Sequence, residues 1–127
     1  MEILKMIDKR SIAGTILGAL RSARGINQSV IAEACGTSLS YISNWENCKT
    51  DIPNPVIGIY STHLNIPEQE IWNLIRHWQI EYEKNPVFQG NIFTYPTFRE
   101  QLFNKLKCEY YQEPLNPRTR RGLARKF

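Results

Sequence analysis

The 127-residue chain predicts an all-α protein, and three observations carry that expectation. Apolar residues recur three and four apart, as in Ile12, Ile16, Leu17 and Leu20, or Ile71, Leu74, Ile75, Trp78 and Tyr82, the spacing of one helical face. Residues 28–46, QSVIAEACGTSLSYISNWE, read as two short helices meeting at a turn that contains Gly36. Only one strand-like stretch occurs, at 87–95, and it is short. The expected organisation is a five-helix domain over 11–82, an extension over 83–111 and a basic tail over 112–127.

The first helix is expected over Ser11–Arg24, closed by Gly25. Gly14 and Gly18 each cost about 1 kcal/mol there relative to alanine. That cost is explained by close approach of a neighbouring helix or, alternatively, by a dimer contact or a pliable helix. The second helix fits Gln28–Cys35, with Asn27 as N-cap and Ile31, Ala32 and Cys35 on one face. Gly36 suits a left-handed C-cap. The third helix begins at Thr37 or Ser38, a hydroxyl cap, and turns Ile42 and Trp45 inward, with Tyr41 toward or beside the core. Asp51–Pro55 is a proline-punctuated loop. The fourth helix fits Val56–Leu64, and the fifth Pro67–Tyr82, with Glu68 and Glu70 at its positive end. Trp78 and Tyr82 exceed what a five-helix domain needs, so the fifth helix is expected to offer a surface.

The pattern Gln28-x-x-x-Ala32-x-x-x-Gly36-x-x-x-x-x-Ile42-Ser43-x-x-Glu46 resembles the XRE, or Cro/C1-type, helix-turn-helix family of lambdoid phage repressors. Leu20-Arg21-x-x-x-Gly25-Ile26-Asn27-Gln28, Asn47-x-Lys49-Thr50 and Leu64-x-Ile66 extend the resemblance to about residues 12–80. It implies a lambda-repressor-like fold that binds double-stranded DNA. It also implies an ion pair between Arg21 and Glu46, and backbone contacts from Gln28, Asn47 and Lys49. One departure is visible. Family members commonly carry glycine two residues after the glutamate, where this chain has Cys48, so either Asn47 takes the left-handed conformation or the exit differs.

In a helix-turn-helix the second helix presents its N-terminal side chains to base edges in the major groove. Ser38, Leu39, Ser40 and Asn44 face outward on that geometry. Asn44 can pair two ways with adenine, and Leu39 can meet a thymine methyl.

Beyond the fifth helix, Val87–Phe88 and Ile92–Tyr95 suit a short hairpin around Gly90-Asn91. Thr97-x-x-Glu100 reads as a capping box opening a helix to about Tyr111. Its Phe98, Leu102, Leu106 and Tyr110 share a face, suited either to the monomer's core or to a homodimer.

Charge is uneven. Residues 11–66 carry three basic and three acidic side chains, whereas the last sixteen carry five basic and one acidic. Arg118, Arg120, Arg121, Arg125 and Lys126 suit phosphates or the minor groove, or alternatively a solubilising, partner-binding tail. Cysteines 35, 48 and 108 are odd in number and form no Cys-x-x-Cys pair, so neither disulfide framework nor zinc site is expected. His63 and His77 stand alone. No cofactor, catalytic motif or membrane span is expected, and Ser11–Leu20 reads better as a helix than as a secretion signal. The expectation is a cytoplasmic, non-enzymatic regulator, a repressor binding a two-fold operator as a dimer. The alternative is a protein-interaction module of antitoxin or antirepressor type, gripping its partner through the fifth helix and the C-terminal region.

Overall fold

The structure, a computed structural model, describes residues 11–84 and 95–112, the latter with side chains from Thr97 onward. Among the described residues there are six helices and no strand: α1 Ala13–Ala23, α2 Gln28–Cys35, α3 Leu39–Glu46, α4 Asn54–Leu64, α5 Glu68–Glu83 and α6 Tyr95–Glu109.

α1 is the central element. Gly14 to Leu20 are all buried, so it behaves as a core helix enclosed on several sides, not as an amphipathic surface helix. It packs against α3, α4 and α5, and most extensively against α6. Ser11 Oγ accepts from the Ala13 N–H at 3.1 Å, and the Ile12 N–H donates to Gln79 Oε1 on α5 at 3.0 Å. The two α1 glycines serve close approach within the chain. A Cβ on Gly14 would overlap the Trp45 carbonyl oxygen, and one on Gly18 would lie 3.2 Å from Glu46 Oε1.

Gly36 takes the left-handed backbone between α2 and α3, with φ 68°. Asn27 and Ser38 occupy the N-cap positions with extended backbones, but neither side chain makes the expected capping bond. With Ser38 at the N-cap position, α3 opens at Leu39, where the second of the two hydroxyl candidates puts it. At its exit Asn47 keeps a negative φ and Cys48 itself turns left-handed at φ 59°. A β-carbon there costs about 1–2 kcal/mol. The Cys48 thiol lies 3.5 Å from the hydroxyl of buried Thr15.

α4 starts at Asn54 instead of Val56, because Pro55 fits a first turn that does not use its missing N–H. Asn65 closes it in a left-handed conformation at φ 56°. α6 also opens early, at Tyr95, the last residue of the expected hairpin. Thr97 therefore lies inside the first turn and is not the N-cap of a capping box. The other hairpin residues, 87–94, and the tail cations Arg118, Arg120, Arg121, Arg125 and Lys126 lie outside the described residues.

The apolar face of α6 is spent inside the chain. Phe98, Leu102 and Leu106 are buried in the same core as α1. Phe98 meets Tyr82 at 5.1 Å and Trp78 at 6.5 Å between ring centroids, covering the part of α5 expected to stand free. The Tyr110 hydroxyl donates to the Glu70 carboxylate; partial burial and that bond push its pKa up to about 12. Past the helix, the Gln112 N–H donates to the Ala23 carbonyl at 3.0 Å, and Arg24 donates to the Gln112 side chain.

The two glycines differ in what opposes them, and so in their tolerance. Gly14→Ala meets a backbone carbonyl and is expected to lose about 3 kcal/mol of stability or more. Gly18→Ala meets the four-bonded Glu46 carboxylate at 3.2 Å, so even with a helix-propensity gain of about 1 kcal/mol its denaturant midpoint should fall, by less than that of Gly14→Ala.

Candidate nucleic-acid interface

The α2–turn–α3 unit is held by the carboxylate of Glu46, at the C-terminal end of α3 and only 7% exposed. Arg21 of α1 donates twice, from Nε to Oε2 and from Nη2 to Oε1, each at 2.8 Å. The Tyr60 hydroxyl of α4 donates to Oε2 at 2.7 Å, and Gln28 Nε2 at the start of α2 donates to Oε1 at 2.9 Å. Four bonds fill the acceptor capacity of a carboxylate. Arg21 Nη1 also donates to the Ile26 carbonyl at 2.7 Å, bracing the turn between α1 and α2. Burial, then the charge of Glu46 and the bond to it, raise the Tyr60 pKa far above the ordinary phenol value.

A second clamp, not anticipated from the sequence, comes from α6. Arg99 Nε donates to Thr15 Oγ1 at 2.7 Å, and Nη2 donates to the Glu46 main-chain carbonyl at 3.3 Å. That carbonyl is among the last of α3, which lack partners within the helix. No motif marks Arg99 in the sequence. Only its place beside the buried Phe98 hints at it.

With its C-terminal end held by groups from four helices, α3 turns its N-terminal half outward. Ser38, Leu39 and Ser40 are exposed and Asn44 is half-buried. Ser38, Ser40 and Asn44 make no side-chain hydrogen bond among the described residues, so their polar atoms are available to a ligand. Ser40, Asn44 and Asn47 lie along one outward line at helical spacing. Asn47 is exposed, but its Nδ2 donates to the Ser43 carbonyl at 2.9 Å. Lys49 is exposed just past the left-handed residue. Gln28 is tied to Glu46, and its amide retains a second hydrogen.

Tyr41 departs from expectation. It is 58% exposed, its ring tilted against Trp45 at 6.3 Å. The buried residues of α3 are Ile42, Trp45 and Glu46. At about 100° per residue, Tyr41 lies roughly 90° from the centre of that arc and joins the outward face.

A family model described as helix-turn-helix matches residues 17–71, from within α1 to the start of α5. That segment is a helix-turn-helix domain. Domains of this XRE-type family bind DNA in transcription regulation, and α3 stands in the position of the recognition helix. α6 and Arg99 lie outside the matched segment of the helix-turn-helix. No curated protein and no solved structure matches the chain.

The two clamps on α3 separate experimentally. Glu46→Ala strands the Arg21 guanidinium and should cost about 3–5 kcal/mol. Tyr60→Phe removes one bond to a charged group, at about 1.5–3 kcal/mol. Tyr60 holds its proton more tightly folded than unfolded, so its contribution is complete below about pH 10 and falls as pH rises above that. Tyr60→Phe should accordingly flatten the alkaline loss of stability followed by circular dichroism. Arg99→Ala removes two bonds from a charged group, should cost about 1.5–3 kcal/mol or more, and should speed amide exchange at Asn47 to Lys49, with α2 unaffected.

Proposed function

We propose that this chain is a sequence-specific transcriptional repressor that occupies a two-fold operator as a homodimer in the cytoplasm. The observation that carries the reading is the outward face of α3. Ser38, Ser40 and Asn44 there make no side-chain bond among the described residues and apolar Leu39 stands exposed beside them, on a helix whose far end is fixed by the buried Glu46 carboxylate. Asn44 reads base edges with the two serines and Leu39 around it. Gln28, Asn47 and Lys49 position the helix on phosphates, Asn47 by giving up its bond to Ser43.

Those contacts are few, and residues 11–66 carry no net charge. A two-fold site doubles them, and the arginine tail adds counterion release through Arg118, Arg120, Arg121, Arg125 and Lys126. Gln112 supports that role, because its bonds to Ala23 and Arg24 begin the tail at the end of α1, close to the start of α2. In a docked helix-turn-helix the first helix of the pair crosses the DNA backbone. Repression by occupancy calls for neither an enzyme nor a cofactor, and no helix among the described residues is long and apolar enough to cross a membrane.

A second reading, a protein-interaction module, draws on the exposed apolar side chains Val30, Leu39 and Tyr41.

Selection from random duplex DNA at moderate salt decides between them. The expected result is an enriched, roughly palindromic site. Asn44→Ala should relax it at one position per half-site, at about 1–3 kcal/mol. Removing residues 113–127 should leave the preferred sequence unchanged and lower the salt slope of log K by about 0.9 for each phosphate the tail had neutralised. Absence of enrichment at any salt overturns the DNA reading in favour of the second.

A further inference from the structure

The chemistry of the outward face restricts which bases it can read. Guanine is read through O6 and N7 by arginine or lysine, and cytosine through its amine by a carboxylate. Residues 38–47, SLSYISNWEN, contain no arginine and no lysine. Their one carboxylate, Glu46, is buried with each oxygen already accepting two bonds. Lys49 lies beyond the left-handed Cys48, past the end of the helix and away from its base-facing N-terminal half.

What the face does offer matches the other base pair. An asparagine amide can donate to adenine N7 and accept from the adenine amine in a bidentate pair, and apolar surface suits the thymine methyl. Asn44 supplies the amide, which makes no side-chain bond among the described residues. Leu39 and Tyr41 supply apolar surface at 52% and 58% exposure. The contact with Trp45 holds the Tyr41 ring against the helix, so it is presented as a supported plane.

Resting on the reading of α3 as a DNA reader, we propose that the half-site beneath it is built of A·T pairs: Asn44 recognises an adenine, and Leu39 and Tyr41 pack on thymine methyl groups. Tyr41 is then a specificity-determining residue. The serines accept either base and tune orientation.

The test uses the full chain and the duplex recovered by selection. Each thymine is replaced in turn by uracil, which keeps pairing and removes the methyl group. Two positions per half-site should weaken binding about three- to fivefold, the worth of one buried methyl. One should lose its sensitivity in Leu39→Ala and the other in Tyr41→Ala, both variants first shown to be folded by circular dichroism. Replacing one adenine by 7-deazaadenine should weaken binding about tenfold in the parent and have no effect in Asn44→Ala. An enriched site with required G·C pairs under α3, or uracil substitution without effect at every position, overturns this inference and leaves the DNA reading standing. Absence of any enriched site overturns both.

Discussion

The placement of α3 against the other helices of the helix-turn-helix depends on one carboxylate. Glu46 sits at the end of α3, and the groups bonded to it come from α1, α2 and α4. Burying a charge is costly unless it is paired and its remaining acceptor sites are filled, and here both conditions hold. The carboxylate thus makes the relative placement of four helices a single condition: shift any one and a buried charge loses a partner. A hydrophobic contact of similar size would tolerate sliding, whereas hydrogen bonds of 2.7–2.9 Å do not. The glycines of α1 belong to the same constraint, since they let its backbone reach the α3 terminus where the carboxylate stands.

α6 extends that logic beyond the helix-turn-helix. Its buried face completes the enclosure of α1, and Arg99 reaches across to the Thr15 hydroxyl and the last turn of α3. The recognition helix is consequently gripped twice at one end, by side-chain charge from below and by a guanidinium on its main chain from the extension. The strained backbone at Cys48 falls at that doubly held exit. Strain of this kind persists only where surrounding structure over-determines the conformation.

The turn between α2 and α3 is legible in the sequence because Gly36 and the apolar spacing on either side are local signals. Arg21 and Glu46 are legible through resemblance, and their geometry bears the pairing out. The departures share a physical cause: a local signal is outweighed by its surroundings. Asn27 and Ser38 mark the cap positions by backbone preference, but no side-chain bond follows. Pro55 reads as part of a loop, yet it lies in a first turn, where a missing N–H is harmless. Tyr41 reads as inward when the arc is centred on apolar Ile42 and Trp45; counting buried Glu46 rotates that arc away from it. The fate of α6 is not legible at all. Its face of Phe98, Leu102 and Leu106 fits a core or a partner equally well, and the helix it covers is remote in sequence.

That remoteness has a consequence for how the protein comes to be made. Thr15 and Arg99 are 84 residues apart, so α1 gains the α6 wall only after the whole helix-turn-helix has been synthesised. Contacts of such separation form late compared with local helical turns. A nascent chain can therefore carry every residue of the helix-turn-helix while its central helix still lacks one wall and the α3 exit lacks a cap. The α3 exit reaches its finished form only once α6 has emerged, and a chain terminated before α6 is left with exposed core, a substrate for proteolysis.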